Sequence, residues 1–165
     1  MPIWDDIVDV VVDNLMFDLH KTVGRMFQKV ADRIGWGGRK PDERQSPKAF
    51  GAWAEDRAGE FLESQGMKIL CRNYRTGWGE LDLVAKDGEF IVFVEVKAGR
   101  GVDLEPELKV NRHKRRRMKI AARSFAARKN IQDAPMRFDI VTVEMDEGGN
   151  VKIEHEENAF TYEGR

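Results

Sequence analysis

The stretch at residues 90–97, Phe-Ile-Val-Phe-Val-Glu-Val-Lys, limits the possible folds of this chain more than any other segment. β-Branched and aromatic residues dominate it, and they favour extended strands. Alternate side chains of a strand point to opposite faces, so apolar side chains occupy both faces of this one. A strand of this kind must be covered on both sides, which predicts a sheet with helices packed on it.

The neighbouring segments predict helix, three-stranded meander, helix and two further strands, in that order. Ser46 followed by Pro47 is typical of a helix start, and this helix is expected to end at Gly66. Asp87-Gly88 predicts a tight hairpin before residues 90–97, and residues 98–107 are expected to form a loop. A second helix is predicted over residues 108–129, and the other strands over 67–72, 79–85, 138–145 and 151–155. The predicted fold is therefore α/β, a mixed sheet of about five strands flanked by helices.

The first 45 residues predict a separate helical extension. Their apolar side chains recur at helical spacing, with acidic side chains on the other face: Ile3, Ile7, Val11, Leu15, Leu19 and Val23. A glycine-rich run at residues 35–38 then breaks the helix, and the polar stretch to Gln45 indicates a linker. We therefore expect an amphipathic extension and linker over residues 1–45 and one domain over residues 46–165.

The same N-terminal segment shows no pattern typical of a signal peptide or a membrane span. Aspartates interrupt its apolar residues throughout: Asp5, Asp6, Asp9, Asp13 and Asp18. The chain has a single cysteine, Cys71, and cannot form an internal disulfide. Both observations favour a protein of the reducing cytoplasm.

Basic residues are concentrated in one segment of the chain. The chain holds 28 Lys and Arg against 29 Asp and Glu, yet residues 109–129 contain ten cations and no acid. Within the predicted helix, four of the cations form a stripe well separated from the apolar one: Arg112, Arg116, Lys119 and Arg123. A solvated helix face is one interpretation of this pattern. Contact with DNA phosphates is the favoured one, through Arg112, Arg115, Arg116, Lys119 and Arg123.

Charged side chains at the end of the buried strand suggest a catalytic site. Glu95 and Lys97 share one face, and pairing across the hairpin brings Asp82 close to Glu95. Carboxylates hold hard cations such as Mg²⁺ or Mn²⁺, and the backbone carbonyl of Val96 could add a ligand. Lys97 could orient a water molecule or stabilise negative charge. An ordinary exposed ion pair at a strand end is the alternative.

A family resemblance strengthens the catalytic interpretation, and it spans roughly residues 49–145. The matching residues are Gly51, Glu55, Ala58, Leu62 and Gly66, followed by the segments at 69–70, 72–75, 79–85, 92–97 and 137–139. These residues resemble the YraN-like family, which is similar in fold to restriction endonucleases and archaeal Holliday junction resolvases. The resemblance implies a PD-(D/E)XK nuclease core whose motif residues are Asp82, Glu95 and Lys97.

The same resemblance suggests two further site residues, and the chain departs from the family at two places. Glu55 would be the helical glutamate of the family, which implies a further contact to the metal or to water. Lys114 lies on the apolar stripe of its helix and resembles the helical lysine or glutamine that related nucleases aim at the active centre; a plain phosphate contact is the alternative. After Lys97 the family usually continues with Thr or Ser and then Arg, whereas this chain has Ala98-Gly99-Arg100. Residues 1–45 fall outside the match.

Several other residues have two interpretations each. Glu80 shares a face with Asp82 and is either an acid supporting the site or a polar residue at a strand edge. Trp78 could stack on an unpaired base, although an aromatic side chain in a turn more often packs on its own sheet. His20, His113 and His155 show no metal-ligand spacing.

The sequence as a whole favours a Mg²⁺-dependent endonuclease that hydrolyses DNA phosphodiester bonds, with branched DNA as a candidate substrate. One alternative is a nucleic-acid-binding module without catalysis. Another is an adaptor that recruits a partner protein through residues 1–45. A homodimer is also open.

Overall fold

The computed structural model describes residues 46–101 and 110–161. Within these ranges lie two helices, which we label α1 (Pro47–Ser64) and α2 (Arg112–Lys129). Five strands form a single sheet in the order of the chain: β1 (Lys68–Arg75), β2 (Glu80–Asp87), β3 (Phe90–Arg100), β4 (Met136–Met145) and β5 (Val151–Phe160). Neighbouring strands are antiparallel except β3 and β4, which are parallel. The predicted fold, a mixed five-stranded sheet flanked by helices, is confirmed.

One helix covers each face of the sheet. On the α1 side, Ala54, Ala58 and Leu62 pack against alternate residues of the central strands: Leu83, Ala85, Val92, Val94, Val141 and Val143. On the α2 side, the helix contributes Met118, Ala121, Ala122 and Phe125, which meet the opposite set: Val84, Ile91, Phe93, Phe138 and Ile140. Residues 91–95 of β3 are accordingly buried, as the apolar pattern on both of its faces predicts.

Side-chain caps fix the starts of both helices. Ser46 accepts a hydrogen bond from the amide of Ala49 at 3.3 Å, and Pro47 occupies the first turn, as expected from the sequence. The start of α2 differs from the prediction at residue 108. Asn111 caps this helix by accepting a hydrogen bond from the amide of Lys114 at 2.9 Å, so the helix begins at Arg112. Lys114 therefore lies in the first turn of α2.

Strand β3 is longer than predicted. Residues 98–100 do not form the expected loop, because they continue the parallel ladder opposite residues 143–145 of β4. The partner strand supplies hydrogen bonds that the local sequence does not reveal. The turn between β2 and β3 lies at Gly88 and Glu89, one residue later than predicted, and Gly88 takes a positive φ of 55°.

The predicted extension over residues 1–45 lies outside the described residues, so it stays a prediction. None of the helices in the described part of the chain is both long and apolar enough to cross a membrane.

Candidate active site

The candidate site lies where β2 and β3 stop pairing. Their ladder runs from the pair Asp87–Phe90 to the pair Leu83–Val94. Just beyond it, the Oδ2 atom of Asp82 accepts a hydrogen bond from the amide of Val96 at 2.8 Å. This side-chain hydrogen bond takes the place of a backbone hydrogen bond between the two strands, and it holds the Asp82 carboxylate against β3. The predicted proximity of Asp82 to the Glu95 segment is present in the structure.

The alternation predicted for β2 changes at Asp82. The sequence pattern places Leu81, Leu83 and Ala85 on one face, with Val84 on the other. Leu83 and Ala85 do pack on the α1 side, but Leu81 belongs with Val84 to the core under α2. The change falls where pairing with β3 has ended.

Glu95 is the most deeply buried acidic side chain of the site, with 4% of its surface exposed. Burial raises its pKa above the ordinary value, and the negative charge of Asp82 adds to this effect. The positive charges of Lys114 and Lys97 oppose the rise. The Nζ atom of Lys97 lies 3.4 Å from Oε1, and that of Lys114 lies 3.0 Å from Oε2. Lys114 is thus the ion-pair partner of Oε2, and both its positive charge and its hydrogen bond lower the pKa of Glu95.

Lys114 reaches the site from the first turn of α2. Besides Glu95, its Nζ atom lies 3.4 Å from Oε1 of Glu80, and Arg117 approaches the same oxygen at 4.0 Å. Burial alone would lower the pKa of Lys114, but the charges of Glu95, Asp82 and Glu80 outweigh burial and raise it. Lys114 is therefore held as a cation between two carboxylates, and Glu80 supports its position.

Glu55 approaches from α1. Its Oε2 atom accepts a hydrogen bond from the side chain of Asn73 at 2.8 Å. Partial burial raises the pKa of Glu55, the hydrogen bond from Asn73 lowers it, and the negative charge of Asp82 raises it again. Glu55 thus interacts with Asp82 through charge, while its direct partner is Asn73. The sequence gives no sign of this role for Asn73, whose φ of 52° is a left-handed value that asparagine tolerates better than most residues.

The cations of α2 separate into two groups. Arg112, Arg116 and Arg123 are exposed, and Lys119 is half-buried. Arg115 differs from them in its contacts, because it is half-buried, donates to the carbonyl of Val110 at 2.7 Å and lies over the ring of Phe160. Its contact with DNA stays a prediction. Arg117, which the sequence pattern does not single out, is exposed and faces Glu80. The exposed cations therefore lie on the same helix as Lys114, whose side chain contacts the carboxylate cluster formed by Glu80, Asp82 and Glu95.

The donor set fits a hard divalent cation with a mainly aqueous shell. In the described ranges no group of three or more His, Cys, Asp or Glu side chains is arranged to hold a metal ion. Mg²⁺ commonly uses only one or two carboxylates and completes its octahedron with water and phosphate oxygens. Asp82 and Glu95 offer two carboxylates, and the Oε2 atom of Glu95 is a buried oxygen whose ion-pair partner is Lys114. The amide and carbonyl of one strand residue point to the same side, so the carbonyl of Val96 points to the β2 side of β3, as its amide does.

The histidines of the described ranges do not belong to this cluster. His113 is exposed on α2. His155 lies 2.8 Å from the buried carboxylate of Asp139, which Arg137 contacts from the other side at 3.0 Å. This network ties β4 to β5, so Asp139 serves the local structure. His20 lies outside the described residues.

Fold and site together define a class of protein, a restriction-endonuclease-like α/β sheet with a carboxylate–lysine cluster where two strands separate. Residues 54–143 match the "Uncharacterised protein family UPF0102", and the chain belongs to this family. A UPF0102 protein of Solibacter usitatus is 42% identical over 82% of this chain and 98% of its own length. One of Syntrophotalea carbinolica is 39% identical over 70% of this chain and 94% of its own length.

Proposed function

We propose that this protein is a Mg²⁺-dependent endonuclease that hydrolyses phosphodiester bonds of DNA. The observation that carries the proposal is the convergence of Asp82, Glu95 and Lys97 where β2 and β3 separate, with Lys114 reaching them from a basic helix. Two carboxylates beside two ammonium groups match what phosphoryl transfer needs, namely metal ligands and stabilisers of negative charge.

Asp82, Glu95 and the carbonyl of Val96 would hold the ion. When bound, Mg²⁺ lowers the pKa of a coordinated water molecule and screens the charge of the phosphate under attack. The hydrogen bond from Val96 to Asp82 fixes one carboxylate before substrate arrives. The other carboxylate, Glu95, is buried, so few water molecules reach it to compete with the ion.

The two lysines would divide the remaining work. Lys97 lies within 3.4 Å of Glu95 on the same strand, where it can orient the attacking water or stabilise charge on the phosphate. Lys114 projects from the helix whose exposed cations would bind the DNA backbone. Lys114 therefore links binding of the phosphate backbone to the position of the scissile group.

The test is cleavage of matched duplex, flap and four-way-junction DNAs with Mg²⁺, Mn²⁺ or EDTA. The proposal expects cleavage with either metal and none in EDTA. Asp82→Asn should be inactive, whereas Asp133→Asn, which changes an exposed acid beyond the opposite end of β3, should cleave at the parental rate. Metal-independent cleavage, or equal activity of the two variants, would contradict the proposal. The panel also tests whether branched DNA is the preferred substrate.

A nucleic-acid-binding module without hydrolysis is the second candidate. The ion pairs of Glu95 with Lys97 and Lys114 favour it, because they already balance the buried carboxylate without a metal. This candidate expects DNA binding with the same affinity in Mg²⁺ and EDTA and no cleavage in either. Recruitment of a protein through residues 1–45 and homodimer formation stay predictions.

A further inference from the structure

Trp78 is the most exposed large apolar side chain in the described ranges. It exposes 78% of its surface, compared with 43% for Phe90 and 40% for Leu70. The expectation that Trp78 packs on its own sheet is therefore wrong. An indole held in water in this way gains a large apolar contact when a flat ligand stacks on it.

The turn that carries Trp78 is closed by hydrogen bonds. The hydroxyl oxygen of Thr76 accepts hydrogen bonds from the amides of Trp78 at 3.2 Å and Gly79 at 2.9 Å. The amide of Thr76 donates to the carbonyl of Gly79 at 2.8 Å. These bonds hold the backbone of the turn in one conformation. The Cα and Cβ atoms of Trp78 are therefore positioned before any ligand binds.

The turn also lies directly against the basic helix. A Cβ atom at Gly79 would lie 2.0 Å from the carbonyl oxygen of Arg117, so only glycine permits this approach. The next residue, Glu80, contacts Lys114 and Arg117. Asp82 lies four positions after Trp78, so their Cα atoms are at most roughly 14 Å apart. The turn that carries Trp78 therefore lies beside α2, close in the chain to Glu80 and Asp82.

We propose that Trp78 is a stacking platform for an unpaired nucleobase, and that the substrate is DNA with unpaired bases beside the cleaved bond. This inference rests on the proposed function. In an intact duplex the faces of a base are covered by its neighbours, so a fixed indole can stack only on a base that has left the helix or lies in a single strand. The turn that carries Trp78 lies against α2, and the cations of that helix favour a phosphate backbone over an apolar protein surface as the ligand.

The test compares two labelled DNAs of the same sequence, a full duplex and a duplex with a central unpaired stretch. Binding is measured by fluorescence anisotropy in EDTA, so that no cleavage occurs. Trp78→Ala should weaken binding to the DNA with unpaired bases by about tenfold, within the range of one base stack, and change duplex binding by less than about twofold. Trp78→Phe should retain most of the affinity because it keeps an aromatic face.

Phe90→Ala is the matched control. Phe90 is an exposed aromatic side chain in the hairpin at the opposite end of β3, and its removal should weaken binding of both DNAs equally or not at all. Equal affinity of the parent for both DNAs, or equal loss with Trp78→Ala on both, would overturn the inference. A change in oligomeric state with Trp78→Ala and unchanged DNA binding would assign the indole to a protein interface and also overturn it. Metal-dependent cleavage of duplex DNA would uphold the proposed function even then, so the two failures are distinguishable.

Discussion

At the scale of single residues, burial of the ionised Glu95 carboxylate lowers the free energy of unfolding. Its pKa in the folded protein lies above the ordinary value of 4.5, so ionisation is less favourable in the folded state than in the unfolded state. As pH rises from about 4.5 through the folded-state pKa, the protein loses stability, and above that pKa the loss is complete. Glu95→Gln mimics the neutral form and should avoid the loss.

Glu95→Gln should therefore melt at a higher temperature than the parent at pH 7 in EDTA, and the difference should vanish near pH 4. Adding Mg²⁺ should raise the melting temperature of the parent with increasing metal concentration and leave that of Glu95→Gln unchanged. Melting curves over this pH range, with and without metal, measure both effects. A variant less stable than the parent at pH 7 would show that Glu95 serves the fold through its ion pairs.

Asp82 and Lys97 offer a cleaner separation of chemistry from binding. Asp82→Asn keeps an oxygen that can accept the hydrogen bond from Val96, and it removes only the charge. Each of Asp82→Asn and Lys97→Ala should lower metal-dependent cleavage on the order of a hundredfold or more. DNA affinity should change little, because the exposed cations of α2 supply it. Paired nicking and gel-shift assays measure both, and undiminished nicking by both variants would refute the catalytic assignment.

The sequence predicts the residues that depend on local periodicity and misses those that depend on distant packing. Asp82 and Glu95 follow from a hairpin and a period of two, so their proximity could be predicted. Asn73 meets Glu55 across 18 positions in sequence, and nothing local indicates that contact. Arg115 resembles its basic neighbours in sequence, but its guanidinium lies over the ring of Phe160, which is distant in sequence on β5.

At the scale of elements, α2 performs two tasks on two faces. The cations away from its apolar stripe, such as the exposed Arg116 and the half-buried Lys119, should contribute affinity that weakens with salt and is indifferent to sequence. Arg116→Ala with Lys119→Ala should therefore reduce the slope of log K against log salt by roughly one unit for each phosphate that is no longer neutralised. Lys114→Ala should leave that slope within roughly one unit of the parent, because Lys114 neutralises at most one phosphate.

Cleavage should respond in the opposite way. Lys114 lies 3.0 Å from Glu95, so its removal should lower the single-turnover rate more than the affinity. The measurement is binding at several salt concentrations beside single-turnover cleavage for each variant. An unchanged slope for the double variant would show that the outer cations form only a solvated face, and a parental rate for Lys114→Ala would refute its part in the chemistry.

Element boundaries show where periodicity stops being informative. The alternating pattern identifies β3, yet its extension to Arg100 depends on parallel pairing with β4. Likewise, the basic run predicts α2, but the first turn is set by the cap at Asn111. In both cases the missing information is a hydrogen-bond partner whose position periodicity does not encode.

At the scale of the whole molecule, helices that follow residue 45 cover both faces of the described sheet. α1 packs on the side of Val92 and Val94, and α2 packs on the side of Phe93. A chain that begins at Gln45 still carries the cap at Ser46 and the whole of α1. It should therefore unfold in one cooperative transition and keep its metal-dependent cleavage.

A chain that begins at Lys68 is the matched control, because it lacks α1. It would expose the apolar face that Ala54, Ala58 and Leu62 cover, and it should fail to melt cooperatively. Thermal melts of the full chain and both truncations, followed by circular dichroism, measure the difference. Loss of the cooperative transition in the chain that begins at Gln45 would show that residues 1–45 complete the core, and would move the domain boundary to the N-terminus.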